Sequence, residues 1–270
     1  MNTIAKHQIL LRTLPFAILM VVFKLITHQL LNQDGKEFNE LVEFSDISII
    51  FTGAFFVFGL ILSGIMVDFK ESEKIPGEIA CILESVQDWA LVGVQSKRNK
   101  ENNEQDAIIN ETWVKSEITA VNDGISIWLR GNDKRSETIY PLVRRINDMA
   151  IFLQKHGADK DCIKGIQDQA NQLRKQVTRA YTIARTDFVA PAYTLQKSIL
   201  LLILILLIIS KFKSVTGAVV ASGVTSFVFI YLFLLIRELD NPFNTDSKTG
   251  SQHVESKLLD KYKERINNTL

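Results

Sequence analysis

Few residues of this chain belong to the types that usually carry chemistry. It has 270 residues, with two cysteines, four histidines and five prolines. Cys81 and Cys162 both lie in the polar middle of the chain, so they form no disulfide framework and read as reduced thiols. His7, His28, His156 and His253 are scattered singly. There is no C-x-x-C, no H-E-x-x-H and no G-x-x-x-x-G-K-[ST], which removes the usual zinc and phosphate sites. No serine has the strand–turn–helix setting of a nucleophile elbow. An enzyme, a metal and a cofactor are therefore not expected. A charge excess is missing too. Formal net charge is +1, and residues 69–195 balance 18 Lys/Arg against 18 Asp/Glu. A nucleic-acid footprint needs a basic excess, so that partner is excluded.

What the chain has is long uncharged stretches. Roughly 18 or more apolar residues with few charges are enough to cross a bilayer. Ile47–Val67 has 21 residues and Val215–Ile236 has 22, with no charge in either. Thr13–Leu31 qualifies with Lys24 and His28 inside it, and a fourth block reaches full length from Phe188 to Ser210, taking in Lys197 near its start. The first block is too long for a cleaved signal peptide and has no small-residue cleavage site behind it. The expected fold class is an all-α polytopic membrane protein with four transmembrane helices, grouped two and two. Residues 1–68 hold spans 1 and 2 (about 13–31 and 47–67). Residues 69–187 form a helical domain. Residues 188–240 hold spans 3 and 4 (about 188–210 and 215–236), and 241–270 form a tail.

Orientation follows the basic residues in short flanks. The loop at 32–46 carries Lys36 against Asp34, Glu37, Glu40, Glu43 and Asp46. Lys6, Arg12, Lys70, Lys74, Arg179, Arg185 and Arg237 lie on the other side; Lys211 and Lys213 dissent mildly. Both termini and the middle segment are therefore expected to be cytoplasmic, in the inner (plasma) membrane.

The middle segment has helical period. Ile75, Ile79, Ile82, Val86 and Trp89 recur at three- and four-residue steps, as do Ile139, Leu142, Val143, Ile146, Met149 and Leu153. "KRNKENNEQD" (97–106) reads as a polar loop, and "HGADKD" (156–161) ends a helix at Gly157. Ile163, Ile166, Ala170, Leu173, Val177, Ala180 and Ala184 step by 3, 4, 3, 4, 3 and 4, a coiled-coil-like seam. It packs either inside its own subunit or against another. "ESKLLDKYKERI" (255–266) is a weak helical stretch in the tail, flexible or peripheral.

Three features of the spans carry the functional reading. Phe51, Phe55, Phe58 and Leu62 share one face of span 2, forming either an apolar neck that gates by dewetting or an ordinary packing stripe. Asp68, Glu71 and Glu73 follow the span as a charged collar, opposed by Lys70 and Lys74, or as a solvated helix start with Pro76 early in it. Lys24 is an intramembrane cation about a dozen ångströms from the outer end of span 1. It snorkels outwards, lines an anion path or pairs with the acidic outer loop.

Two spans, a helical segment, two more spans and then "RELDNPFNTD" (237–246) resemble the bestrophin family and its bacterial relatives. Bestrophins end their last span with a similar Asn-Pro-Phe, here Asp240, Asn241, Pro242 and Phe243. Their second span carries a phenylalanine-rich face and exits into an acidic, proline-containing stretch, echoed by "FTGAFFVFGLILSGIMVDFKESEKIPGE" (51–78). The resemblance implies a homo-oligomer, a pentamer in that family, conducting inorganic ions through an apolar neck. It places Phe51 and Phe55 at the first two neck positions and Phe58 or Gly59 at the third. Animal bestrophins bind calcium with an acidic run after this motif. Here only Asp246 follows, with Lys248 close by, so no metal is expected. The alternative is a membrane-anchored helical scaffold or sensor that conducts nothing.

Overall fold

The structure, a computed structural model, describes residues 8–33, 43–100, 111–131, 134–185, 190–212, 214–240, 242–243 and 257–268. Among them are eight α-helices and no strand, only an isolated bridge between Glu43 and Lys211. In chain order the helices are α1 (Gln8–Gln33), α2 (Phe44–Lys100), α3 (Glu111–Arg130) and α4 (Ser136–Lys155). Then come α5 (Lys160–Arg185), α6 (Ala190–Ile209), α7 (Val215–Leu239) and α8 (Lys257–Asn268). The fold is all-α, as expected, and α1, α2, α6 and α7 are long and apolar enough to cross a membrane.

The chain divides into two units, and the boundary falls inside α2, between Phe69 and Lys70. Pro76 is therefore not early in a helix but well within one of 57 residues. Its ring removes one donor from the backbone ladder, and the helix continues on the strength of its buried face. The stretch read as a loop from 97 is still helix through Lys100; residues 101–106 lie outside the described residues.

The membrane unit packs the apolar part of α2 on α6 and α7. Its core holds Ile47, Phe51, Phe58 and Ile65 of α2, Ile203 and Leu207 of α6, and Phe229 and Ile236 of α7. Ser214 caps α7, its hydroxyl accepting from the Gly217 N–H at 3.0 Å, which satisfies a donor the first turn cannot bond internally.

The helical unit is a separate core into which the periodic apolar faces turn, with Ile82 and Leu142 half-buried at its edge and Trp89 39% exposed. α4 stops at Gly157, whose φ of +85° only glycine takes without strain. The seam on α5 packs inside this unit, with Ile166, Leu173 and Val177 fully buried. α8 belongs to the same core: Leu259, Tyr262 and Ile266 are buried, and the Tyr262 hydroxyl donates to Gln87 Oε1 at 3.2 Å. The Asn122 amide donates to the Leu259 carbonyl at 3.3 Å, and Lys263 pairs with Asp123 at 2.6 Å. The weak tail stretch is thus a packed helix, tied down by Leu259, Tyr262 and Ile266 and by three ion pairs, from Asp260 to Arg130, Lys263 to Asp123 and Arg265 to Glu84.

Candidate functional site

Within the membrane unit α2 has two unlike faces. Ile47, Phe51, Ala54, Phe58, Ile61 and Ile65 step by four and three and are buried in the unit's own core. Ser48, Thr52, Phe56, Gly59, Ser63 and Val67 lie on the opposite side and are exposed. At 3.6 residues per turn these are the two sides of one cylinder. The Thr52 hydroxyl donates to the Ser48 carbonyl at 3.1 Å, and the Ser48 hydroxyl to the Ser45 carbonyl at 2.7 Å. Both hydroxyls thus satisfy their donors on the helix and keep lone pairs outward. A Cβ added at Gly53 or Gly59 would meet nothing within 4 Å.

The four neck candidates do not share one environment. Phe51 and Phe58 are buried, Phe51 beside Phe44 (5.6 Å between ring centroids) and Phe58 edge-on to Phe229 (5.3 Å). Leu62 is half-buried in the same core. Phe55 is 41% exposed, at the border of the outward face, with one side of its ring 4.4 Å from Phe229.

The collar is partly neutralised within the helical unit. Glu71 pairs with Arg179 of α5, and Glu73 with Lys70 at 3.0 Å. Asp68, the last of the three candidates, is exposed in the membrane unit.

Lys24 is buried. Its ammonium donates to the carbonyl of Ile208 at 2.9 Å and to that of Ser210, and sits 4.9 Å from the centroid of the Phe212 ring. These carbonyls end α6, where no intrahelical donor remains and the helix dipole is negative. Much of the acidic loop between the first two spans lies outside the described residues. In the post-span motif, Asp240 caps α7, its N–H bonding the Ile236 carbonyl at 3.1 Å. Asn241 is outside the described residues. Pro242 and Phe243 are buried in the helical unit, where the Phe243 carbonyl accepts from Lys134 at 3.4 Å.

Two features escaped sequence reasoning. Gln196 of α6 is fully buried, and neither amide atom has a partner among the described residues. A carboxamide beside Lys197 near the start of a span was the available signal. The other is Lys134, discussed below. Among the described residues no group of three or more His, Cys, Asp and Glu is placed to hold a metal. Burial, with Asp159 and Asp161 close by, pushes the Cys162 thiol up and keeps it protonated.

Solved structures decide the fold. A single-substitution variant of a bacterial bestrophin homolog from Klebsiella pneumoniae superposes with a TM-score of 0.73 at 15% identity, over 96% of this chain and 99% of that one. The fold is the bestrophin fold. Another structure of the Klebsiella homolog gives 0.73 at 15% identity, over 95% and 97% of the two chains. A third chain, described as a membrane protein variant, gives 0.69 at 16%, over 96% of each. No family model matches the sequence, and no curated protein matches it. The bestrophin likeness therefore rests on shape, and it covers both the spans and the helical unit.

Proposed function

We propose that the chain assembles into an oligomeric ion channel in which the outward face of α2 lines the path. The observation that carries this is the asymmetry of α2. One side is locked into its own unit, while the other presents hydroxyls, two glycines with nothing within 4 Å among the described residues and, at its border, the half-open ring of Phe55. Repeated around an axis, in five copies if the chain follows the family its sequence resembles, that side encloses a passage. Phe55 narrows it, and an apolar ring imposes a dehydration penalty on ions or dries out altogether. Phe229 backs Phe55 from within the unit, and Phe51 and Phe58 lie in the core rather than line the passage. Below the ring, Asp68 brings one carboxylate per subunit to the mouth, while Glu71 and Glu73 already have cationic partners.

Phe55→Ala tests this. In reconstituted liposomes it is expected to raise ion flux at least severalfold over the parent chain, with the oligomer intact. A stable, assembled Phe55→Ala protein with no flux under cation or anion gradients favours the other reading, a non-conducting scaffold. That reading has its own support, because Phe51, Phe58 and half of Leu62 are packed inside the unit. The chain sits in the inner membrane with both termini inside. With Cys81 and Cys162 replaced by serine, a cysteine at Asn39 reacts with an impermeant thiol reagent from outside and one at Asn102 does not. The reverse pattern overturns the orientation and, with it, the side on which the collar lies.

A further inference from the structure

α3 ends at Arg130 and α4 begins at Ser136. The carbonyls of a last helical turn have no intrahelical donor and carry the negative end of the dipole. Lys134, in the short connection, turns back onto them. Its ammonium donates to the Leu129 carbonyl at 2.9 Å and to the Gly131 carbonyl. A third oxygen, the carbonyl of Phe243, comes from a segment 109 residues away and lies at 3.4 Å. The Trp128 ring stands 5.7 Å from the ammonium, oriented by its indole N–H, which donates to the Arg135 carbonyl at 3.1 Å. Lys134 is 5% exposed, and Phe243 is buried in the helical core.

Three carbonyl oxygens and a π-face around one point are the chemistry that recognises a compact monovalent cation. We infer that this is an alkylammonium site whose resident is the chain's own Lys134, and that its occupancy holds Pro242–Phe243 on the helical unit. Those are the first described residues beyond Asp240, the cap of the last span. Leu239 ends α7, so the segment held by the ammonium follows the last span closely in the sequence. Burial pushes the Lys134 amine down to about 8, and the carbonyls oppose that loss of charge. The site is independent of whether the protein conducts.

The test uses the full chain in detergent. Lys134→Ala removes three methylenes and the amine, the outline of n-propylammonium. The variant is expected to melt earlier than the parent, and n-propylammonium chloride to restore most of the difference. Propan-1-ol, of the same shape without the charge, and sodium chloride are expected to restore little, and the parent to respond to none of them. Equal recovery by propanol reduces the site to a filled volume and overturns the inference; so does no recovery by any of them. If Lys134→Ala does not fold, Lys134→Met keeps the bulk of the side chain. Loss of a charge-assisted hydrogen bond corresponds to about tenfold or more in local opening. Hydrogen exchange around Phe243 should accelerate by that factor in Lys134→Met, with the amides of α5 unchanged. Unchanged exchange around Phe243 also overturns the inference.

Discussion

Leu173 and Leu60 are the same side chain in opposite settings. Leu173, on α5, has no exposed surface; Leu60, on α2, is 58% exposed. In the helical unit water lies outside, so transfer of apolar area sorts the residues and the large aliphatics of the periodic faces end buried or half-buried. In the membrane unit, lipid tails are as apolar as the interior, and that force does not distinguish the two sides of a helix. Shape does the sorting instead. On α7 the fully buried positions include Ala218, Ser222 and Ser226, while Val220 and Val224 face outward. At Gly223 an added Cβ would lie 3.1 Å from Val21 of α1, so absence of a side chain is what lets these two helices approach. Along this stretch of α7 small residues lie inside and large ones outside, the inverse of the water-facing pattern, while Phe58, Ile65 and Phe229 fill the rest of the unit's core. The units share one device. Lys24 and Lys134 each bury an ammonium on the carbonyls of a helix C-terminus beside an aromatic ring.

The comparison is broken most forcefully by placing charge in both settings. Leu173→Asp puts a carboxylate into a fully packed core, which costs about 4 kcal/mol or more. The cooperative melting of the helical unit should be lost. Leu19 of α1 is 61% exposed, and on a water-facing surface Leu19→Arg would cost almost nothing. In lipid an arginine at mid-span costs about 3 kcal/mol of insertion free energy. Leu19→Arg should therefore reduce the membrane-integrated fraction measured by alkaline extraction. Normal integration would mean that this face of α1 meets a polar surface, and the two-solvent account of the molecule would fail.

That difference also decides what could be read in advance. The spans were legible because length and lack of charge suffice to find them, and the helical unit because its apolar period has a single solution in water. The stop at Gly157 was legible from glycine chemistry alone. The direction in which α2 turns its faces was not, since Phe51, Phe55, Phe56 and Phe58 are equally apolar and lipid accepts any of them. In the collar, Lys70 and Lys74 were legible as opposing charges, but the partner of Glu71 is Arg179, on a different helix, and no local pattern announces such a pair. Lys134 was invisible for the same reason: one of its oxygens arrives from 109 residues away.

A smaller effect sharpens the contrast through glycine. A Cβ at Gly165 of α5 would sit 2.5 Å from the ring of Trp89, whereas one at Gly59 meets open space. Gly165→Ala forces the ring to move, at about 1–3 kcal/mol, and should lower Tm by several degrees. Gly59→Ala introduces no clash and gains up to about 1 kcal/mol of helix propensity. Equal losses in both variants would show that α2 is covered at Gly59 by something from outside its own unit, and would point to a subunit contact there.

The smallest expected effect lies on the water-facing surface of the helical unit. Arg145 of α4 binds Glu117 of α3 with two nitrogens, Nε at 2.7 Å and a terminal nitrogen at 3.2 Å. The fork geometry is good, but both side chains are partly exposed, 45% and 24%, so solvent and salt screen the attraction. Glu117→Gln keeps the shape and one acceptor while removing the charge. It should cost about 0.2–1 kcal/mol, or roughly 1–3 °C in Tm, at low ionic strength. In 1 M salt, where the Debye length is about 3 Å, the difference from the parent should vanish. A loss that survives high salt would mean that the pair acts as a geometric clamp between α3 and α4. The fork would then hold these helices in register through its hydrogen bonds, much as the packed apolar stripe does beneath it.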